Sequence, residues 1–232
     1  MKKNVNLMVY HVIGFDMLDA LVMTLGFEPG PLISAVASAA AEGLAEGARI
    51  VIFTAGFPDE RAERAWRQLQ DVISMMELPR RLGVEMEKHE IPLRDLVEAI
   101  RVVKEVLSEL REKNVKIAIT GGMRAVGLAV FIAYLLVDWR YEPRLEVYLE
   151  GRGMALSVPE VRKLFRLSLT EERLRLLKFM KPGNVYTPSD LSGFLRKDRS
   201  TIYRQLQALL EGGIVERVDG GYRLSRLGLL LI

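Results

Sequence analysis

Residues 115–126 read VKIAITGGMRAV: an apolar run of strand type, two adjacent glycines, one arginine, and the start of a helix with hardly a polar residue in it. A strand that turns into a helix through glycines is a joint of parallel sheets, so the flanking segments decide what it belongs to. Upstream, LRDLVEAIRVVKEVLSELREKN (93–114) has the period of a long amphipathic helix, and VEMEKHEI (84–91) reads as a strand. Before these, Pro58 and Asp59 open a helix with Ala62, Ala65, Trp66, Leu69, Val72, Ile73 and Met76 along one face. RIVIFT (49–54) is a buried strand and ISAVASAAAEGLAEG (33–47) an alanine-rich helix. The chain opens with a strand over Leu7–Ile13 and a helix from about Asp16, in which Leu18, Leu21, Val22 and Leu25 fall at helical spacing. Downstream, LEVYLEGRGMALSVP (145–159) predicts a hairpin turning at Gly151–Gly153. The alternation predicts an α/β protein with an open, mostly parallel sheet covered on both sides, extended by an antiparallel hairpin.

The last 64 residues carry a different pattern. Ser168 and Glu171 have capping-box spacing before EERLRLLKFM, PSDLSGFL is a short second helix, and STIYRQLQALLEGG (200–213) a third after the turn at Arg196–Asp198. IVERV, a DGG turn and YRLS then form a hairpin. Three helices and a two-stranded wing make a small α+β winged helix-turn-helix. With Ile202, Leu206, Leu209 and Leu210 toward its core, the third helix exposes Ser200, Thr201, Tyr203, Arg204 and Gln207. Arg199 lies just before them, and Arg217 and Arg223 flank the wing tip. Such residues contact base edges and phosphates, and the alternative use of this fold is protein contact.

Charge divides the chain in the same place. Residues 1–150 carry 18 Lys and Arg against 22 Asp and Glu, whereas residues 151–232 carry 15 against 8. A basic C-terminal unit favours a polyanionic partner, here double-stranded DNA. The expected organisation is a sensing and dimerising domain at 1–158, a linker helix at 159–168 and the winged helix at 169–232. There is no cysteine, and the two histidines, His11 and His89, are far apart, which argues against a metal site. His11, inside an apolar strand, reads as a core residue. The basic N-terminus lacks the features of a signal peptide, and the apolar stretch Ala125–Val137 is well short of the roughly 20 residues that span a bilayer, so a cytoplasmic protein without membrane contact is expected. That stretch is apolar on every face, which predicts burial against a second copy in a homodimer.

Ligands of open parallel sheets sit beyond the carboxyl ends of the strands. Three such ends are candidates: Gly14, Phe15 and Asp16; Thr54 and Gly56; and Thr120, Gly121, Gly122, Met123 and Arg124. A dinucleotide is excluded after the first strand, where the glycine fingerprint would need Asp16 and Asp19 to be glycines. The double glycine can present backbone N–H groups to a phosphate, with Arg124 as a planar donor, or can be only a tight turn with Arg124 paired to Asp16 or Asp19.

G-F-D after the first strand and T-G-G-M-R after a later one, joined to a MarR/ArsR-like winged helix, resemble the CARF (CRISPR-associated Rossmann fold) transcriptional regulators of archaeal type I-A systems. The resemblance covers essentially the whole chain. It implies a Rossmann-like sheet domain, a homodimer with one two-fold pocket for cyclic tetra-adenylate lined by the three strand ends above, and control of CRISPR-related promoters in antiviral defence. The ligand is then an effector, and neither a cofactor nor catalytic residues are implied. The alternative is a metal-independent ring nuclease that opens the same ring, since an in-line 2′-hydroxyl and one cation suffice for that chemistry. AGFPDERAER (55–64) departs from the family pattern, leaving Phe57, Asp59 and Arg61 without roles, and the segment 26–47 reads as an insert.

Overall fold

The computed structural model describes residues 17–166 and 169–232. The chain divides into two compact units at the Val158–Pro159 junction.

In the first unit, β1 (Leu18–Thr24), β2 (Leu44–Ala55), β3 (Glu85–Ile91), β4 (Val115–Ile119), β5 (Arg144–Leu149) and β6 (Met154–Val158) form one sheet in the order β3-β2-β1-β4-β5-β6. All neighbours are parallel except β5 and β6, the antiparallel hairpin. The helices are α1 (Pro29–Glu42), α2 (Glu60–Met75), α3 (Leu78–Leu82), α4 (Leu96–Glu109) and α5 (Arg124–Leu136). α1 packs with α2, and α4 with α5. Leu21, Met23, Ile50 and Ile52 share a core with Leu32, Ala35, Val36 and Ala39 of α1 and Ala65, Leu69 and Ile73 of α2. The alternate residues Ala20, Val22, Val51 and Phe53 are also wholly buried, so the central strands are covered on both faces. This is the Rossmann-like α/β class.

The strand expected at Leu7–Ile13 lies outside the described residues, and the helix expected from Asp16 is corrected: Leu18–Thr24 is the central strand. Leu18, Leu21, Val22 and Leu25 do recur at helical spacing, but Ala20 and Met23 between them are equally apolar and equally buried. A strand buried on both faces is a continuous apolar run, from which a helical subset can always be picked. The apparent insert at 26–47 thereby becomes the first crossover, α1, which ends at Glu42 because Gly43, at φ 109°, turns the chain into β2. The helix expected over 33–47 thus stops early, since Leu44 already pairs with Leu18.

A buried ionic cluster ties α1 to β4 and β5. The Lys116 side chain is fully buried, with Nζ 2.7 Å from Glu42, 2.9 Å from Glu146 and 3.0 Å from the Ser38 hydroxyl. Arg144 adds a contact to Glu42 at 2.7 Å. Burial alone would lower the Lys116 pKa; hydrogen bonds to Glu42 and Glu146 outweigh it and raise the pKa. Burial would likewise raise the Glu42 pKa, but Lys116, Ser38 and Arg144 hold it below its usual value.

In the second unit, α6 (Arg162–Arg166) is followed by α7 (Glu171–Phe179), α8 (Pro188–Leu195), α9 (Arg199–Glu211) and a hairpin of β7 (Val215–Val218) and β8 (Gly221–Leu224). The cap of α7 is corrected from Ser168, which is outside the described residues, to Thr170, whose hydroxyl accepts from the Arg173 N–H. A full capping box occurs at α8, between Thr187 and Asp190. Ile202, Leu206 and Leu209 pack with Leu176, Leu177 and Leu191, and Leu210 is half-buried against them. Val161 and Leu164, in the segment read as a linker, also pack against this core.

Lys116→Ala leaves Glu42 and Glu146 without their buried cation and should cost about 3–5 kcal/mol. Because the folded pKa of Glu42 is depressed, its contribution is present above about 4.5 and lost as pH falls below that. Thermal melts of the wild type and Lys116→Met at pH 7 and pH 3.5 check this: the variant should lose less melting temperature on acidification.

Candidate functional site

The chain runs β1, β2, β3 toward one edge and then returns to place β4 on the other side of β1, so the strand order reverses between β1 and β4. Crevices at such reversals, beyond the carboxyl ends, are where open α/β sheets bind ligands. Here the two ends are clasped. The Thr120 hydroxyl donates to the Thr24 carbonyl (2.6 Å), the Thr120 N–H donates to Thr24 Oγ1 (3.0 Å), and Thr24 Oγ1 donates to the Gly121 carbonyl (2.8 Å). Thr24 and Thr120 are both buried.

The following residues pack backbone on backbone. A Cβ on Gly122, at φ 94°, would lie 2.3 Å from the Leu25 carbonyl oxygen, and a Cβ on Gly26 would lie 2.6 Å from the Gly122 nitrogen. The double glycine is therefore required by close approach and left-handed backbone. The Gly121 N–H faces Thr24 Oγ1 at 3.3 Å. Beyond it, α5 begins with Met123 as a cap that offers no side-chain hydrogen bond. Among the described residues the N–H groups of Gly122, Met123, Arg124 and Ala125 have no acceptor, and Arg124 has no ion-pair partner. Asp19 is not that partner: it lies at the opposite end of β1, where its carboxylate accepts from the Asn114 N–H at 2.8 Å. The joint is thus both a tight turn and a set of open donors beside a cation, suited to a phosphate.

The other sequence-derived candidates are placed as follows. Gly14, Phe15 and Asp16 lie outside the described residues; the strand end beside Thr120 is that of β1, with Thr24, Gly26 and Phe27. Thr54 is buried, and Gly56 donates its N–H to the Ile91 carbonyl at 3.0 Å. Both border a cavity of about 680 Å³ with Phe57, Asp59, Arg67 and Glu90. Asp59 caps α2 through the N–H groups of Arg61 and Ala62, and its pKa is held low by the Arg61 guanidinium. Arg61 in turn lies 3.9 Å over the Phe27 ring, joining the loops after β1 and β2. Sequence reasoning left Arg61 without a role and missed Thr24, Gly26 and Phe27, although Gly26-Phe27-Glu28 repeats the glycine–aromatic–acid pattern of Gly14-Phe15-Asp16.

In the second unit, Arg199, Ser200, Tyr203 and Arg204 of α9 and Arg217 of the hairpin line a groove of about 910 Å³, with Thr187 and Pro188 at the start of α8. Arg199, Arg204 and Arg217 have no ion-pair partner among the described residues. Thr201 is half-buried. Gln207 is engaged, donating from Nε2 to the Tyr222 hydroxyl at 2.9 Å. Tyr222 is buried and its backbone exchanges hydrogen bonds with Tyr186 (2.8 and 2.9 Å), so one residue fastens the hairpin to α9 and to the approach to α8. Arg223 is opposite Glu216 in register and paired with it, on the other face of the hairpin from Arg217.

Among the described residues no group of three or more His, Asp and Glu side chains could hold a metal ion, and no helix is long and apolar enough to cross a membrane. Comparison with known families finds two matches. Residues 19–159 match the Csa3 CRISPR-associated Rossmann-like domain, and residues 160–231 match the N-terminal domain of the methanogenesis regulatory protein FilR1. No curated protein matches the chain.

Two expectations follow from this geometry. Gly122→Ala forces a Cβ onto the Leu25 carbonyl and should destabilise the first unit by more than about 1 kcal/mol, visible as a lower melting temperature, whereas Arg124→Ala should leave it unchanged. Tyr222→Phe removes only the hydroxyl that Gln207 reaches; it should speed amide hydrogen exchange in 215–224 while the exchange of α7 stays as in the wild type.

Proposed function

The chain belongs to the Csa3 CRISPR-associated Rossmann-like domain family, and from that premise we propose a regulator that senses a cyclic oligoadenylate and binds double-stranded DNA. Its two matched domains make it a CRISPR-associated regulator. We take the effector to be cyclic tetra-adenylate, bound across the switch point of the first unit, and the second unit to be a winged helix-turn-helix.

The observation that carries the reading is the set of N–H donors at the β4–α5 joint, from Gly122 to Ala125, that have no acceptor among the described residues, with Arg124 beside them. A helix N-terminus with free N–H groups and an unpaired guanidinium is matched to a phosphodiester. The groove of the second unit supports the DNA half, because arginines on α9 and the hairpin without an ion-pair partner among the described residues can meet bases and backbone together. Dimerisation is supported by α5, whose inner face (Val126, Ala129, Val130, Ala133, Tyr134) is buried while Leu128 and Leu136 remain 47% and 56% exposed. A second copy covering Leu128 and Leu136 would make a two-fold dimer, the symmetry of a two-fold operator.

Calorimetric titration with cyclic oligoadenylates of different ring sizes tests the ligand half. Cyclic tetra-adenylate should bind, and Arg124→Ala should weaken it by about 10- to 100-fold, the loss of a charged hydrogen bond. No heat with any ring would refute the sensor. In band shifts on a promoter of a neighbouring CRISPR locus, Arg204→Ala should change sequence preference. Arg217→Ala should weaken all sequences alike and reduce the salt slope by about 1. Leu128→Glu should shift the sedimenting species from dimer to monomer.

A further inference from the structure

Glu150 stands where a polyanion sensor has least use for a carboxylate. It follows β5, next to β4, and its Oε1 lies 3.1 Å from where a Cβ on Gly121 would be. Gly121 is at φ 140°, a backbone conformation that leaves that space to the carboxylate. Glu150 is exposed and, among the described residues, has neither a hydrogen-bond nor an ion-pair partner. The acid therefore lies beside the same glycine joint, and among the described residues the next four N–H groups have no acceptor and no cation pairs with the carboxylate. Placed against a phosphate oxygen it would repel the ligand; it is tolerable there only if it faces a donor.

We propose that Glu150 is a specificity-determining residue of the switch-point site, accepting a hydrogen bond from the ribose 2′-hydroxyl next to the phosphate held at Gly122–Arg124. This rests on the reading of the first unit as a cyclic oligoadenylate sensor. The chemistry of the ring selects this donor. An adenylate offers two kinds, the exocyclic amine and the 2′-hydroxyl. The amine is at the far side of the base, whereas the hydroxyl is on the carbon adjacent to the one that bears the phosphate. A carboxylate beside the joint that holds the phosphate is matched to the second. Glu150 thus makes the site choose ribonucleotide over deoxyribonucleotide rings, because the 2′-hydroxyl is the group that differs between them.

The test is a cycle of four titrations: wild type and Glu150→Ala, each against cyclic tetra-adenylate and its all-2′-deoxy counterpart, with thermal melts of both proteins. The wild type should prefer the ribose ring by at least about tenfold, as for a hydrogen bond to a charged group. Glu150→Ala should melt like the wild type and lose that preference, mainly by weaker binding of the ribose ring. Glu150→Gln, which keeps an acceptor oxygen, should retain part of it. If Glu150→Ala keeps the full preference or binds the ribose ring more tightly, the role assigned to Glu150 is overturned and the sensor reading stands. A wild type that binds neither ring overturns the sensor reading and this proposal with it.

Discussion

The clasp between Thr24 and Thr120 holds together the part of the molecule that matters most. Two threonines at adjacent strand ends exchange side-chain and backbone hydrogen bonds, and the next residues on each side touch through glycine backbones. Each threonine hydroxyl is thereby satisfied inside the fold, as burial demands. The consequence is chemical as well as structural. The clasp consumes the hydroxyls and the Gly121 N–H internally, and the later N–H groups at the start of α5 have no acceptor among the described residues. A rigid joint with a fixed set of open donors is what a site needs to hold an anion without reorganising.

Charge is used differently in the two units. In the first, Lys116 is buried among Glu42, Glu146 and Ser38, and Arg49 is clamped between Glu87 and Glu109. Such cations hold elements together and are unavailable to a ligand. In the groove of the second unit, Arg199, Arg204 and Arg217 stand on a helix and a hairpin and have no carboxylate partner among the described residues. Tyr222 supplies the rigidity that acids would otherwise supply, through Gln207 on one side and the Tyr186 backbone on the other. Glu150 is a different case in the first unit: an acid beside the double-glycine joint with no hydrogen-bond or ion-pair partner among the described residues.

Much of this was determined by the sequence alone. The alternation of strands and helices from Arg49 onward, the β5–β6 hairpin at Gly151–Gly153, the three helices and hairpin after residue 170, and the double-glycine joint are all legible, because periodicity, glycine and capping residues act over a few positions. The Csa3-type family was legible from the same joint, since T-G-G-M-R before an apolar helix is a local pattern. Tertiary structure decided the rest. Residues 18–24 form a strand because they enter the middle of the sheet and are buried on both faces, a fact that no local period encodes. That placement moves the neighbouring strand end to Gly26 and Phe27, gives Thr24 its partner 96 residues away, and turns Gln207 from a free side chain into a tether of Tyr222. Sequence spacing fixes which residues share a face of one element; which elements become neighbours is set by burying both faces of one sheet at once, and the contacts of the site depend on that.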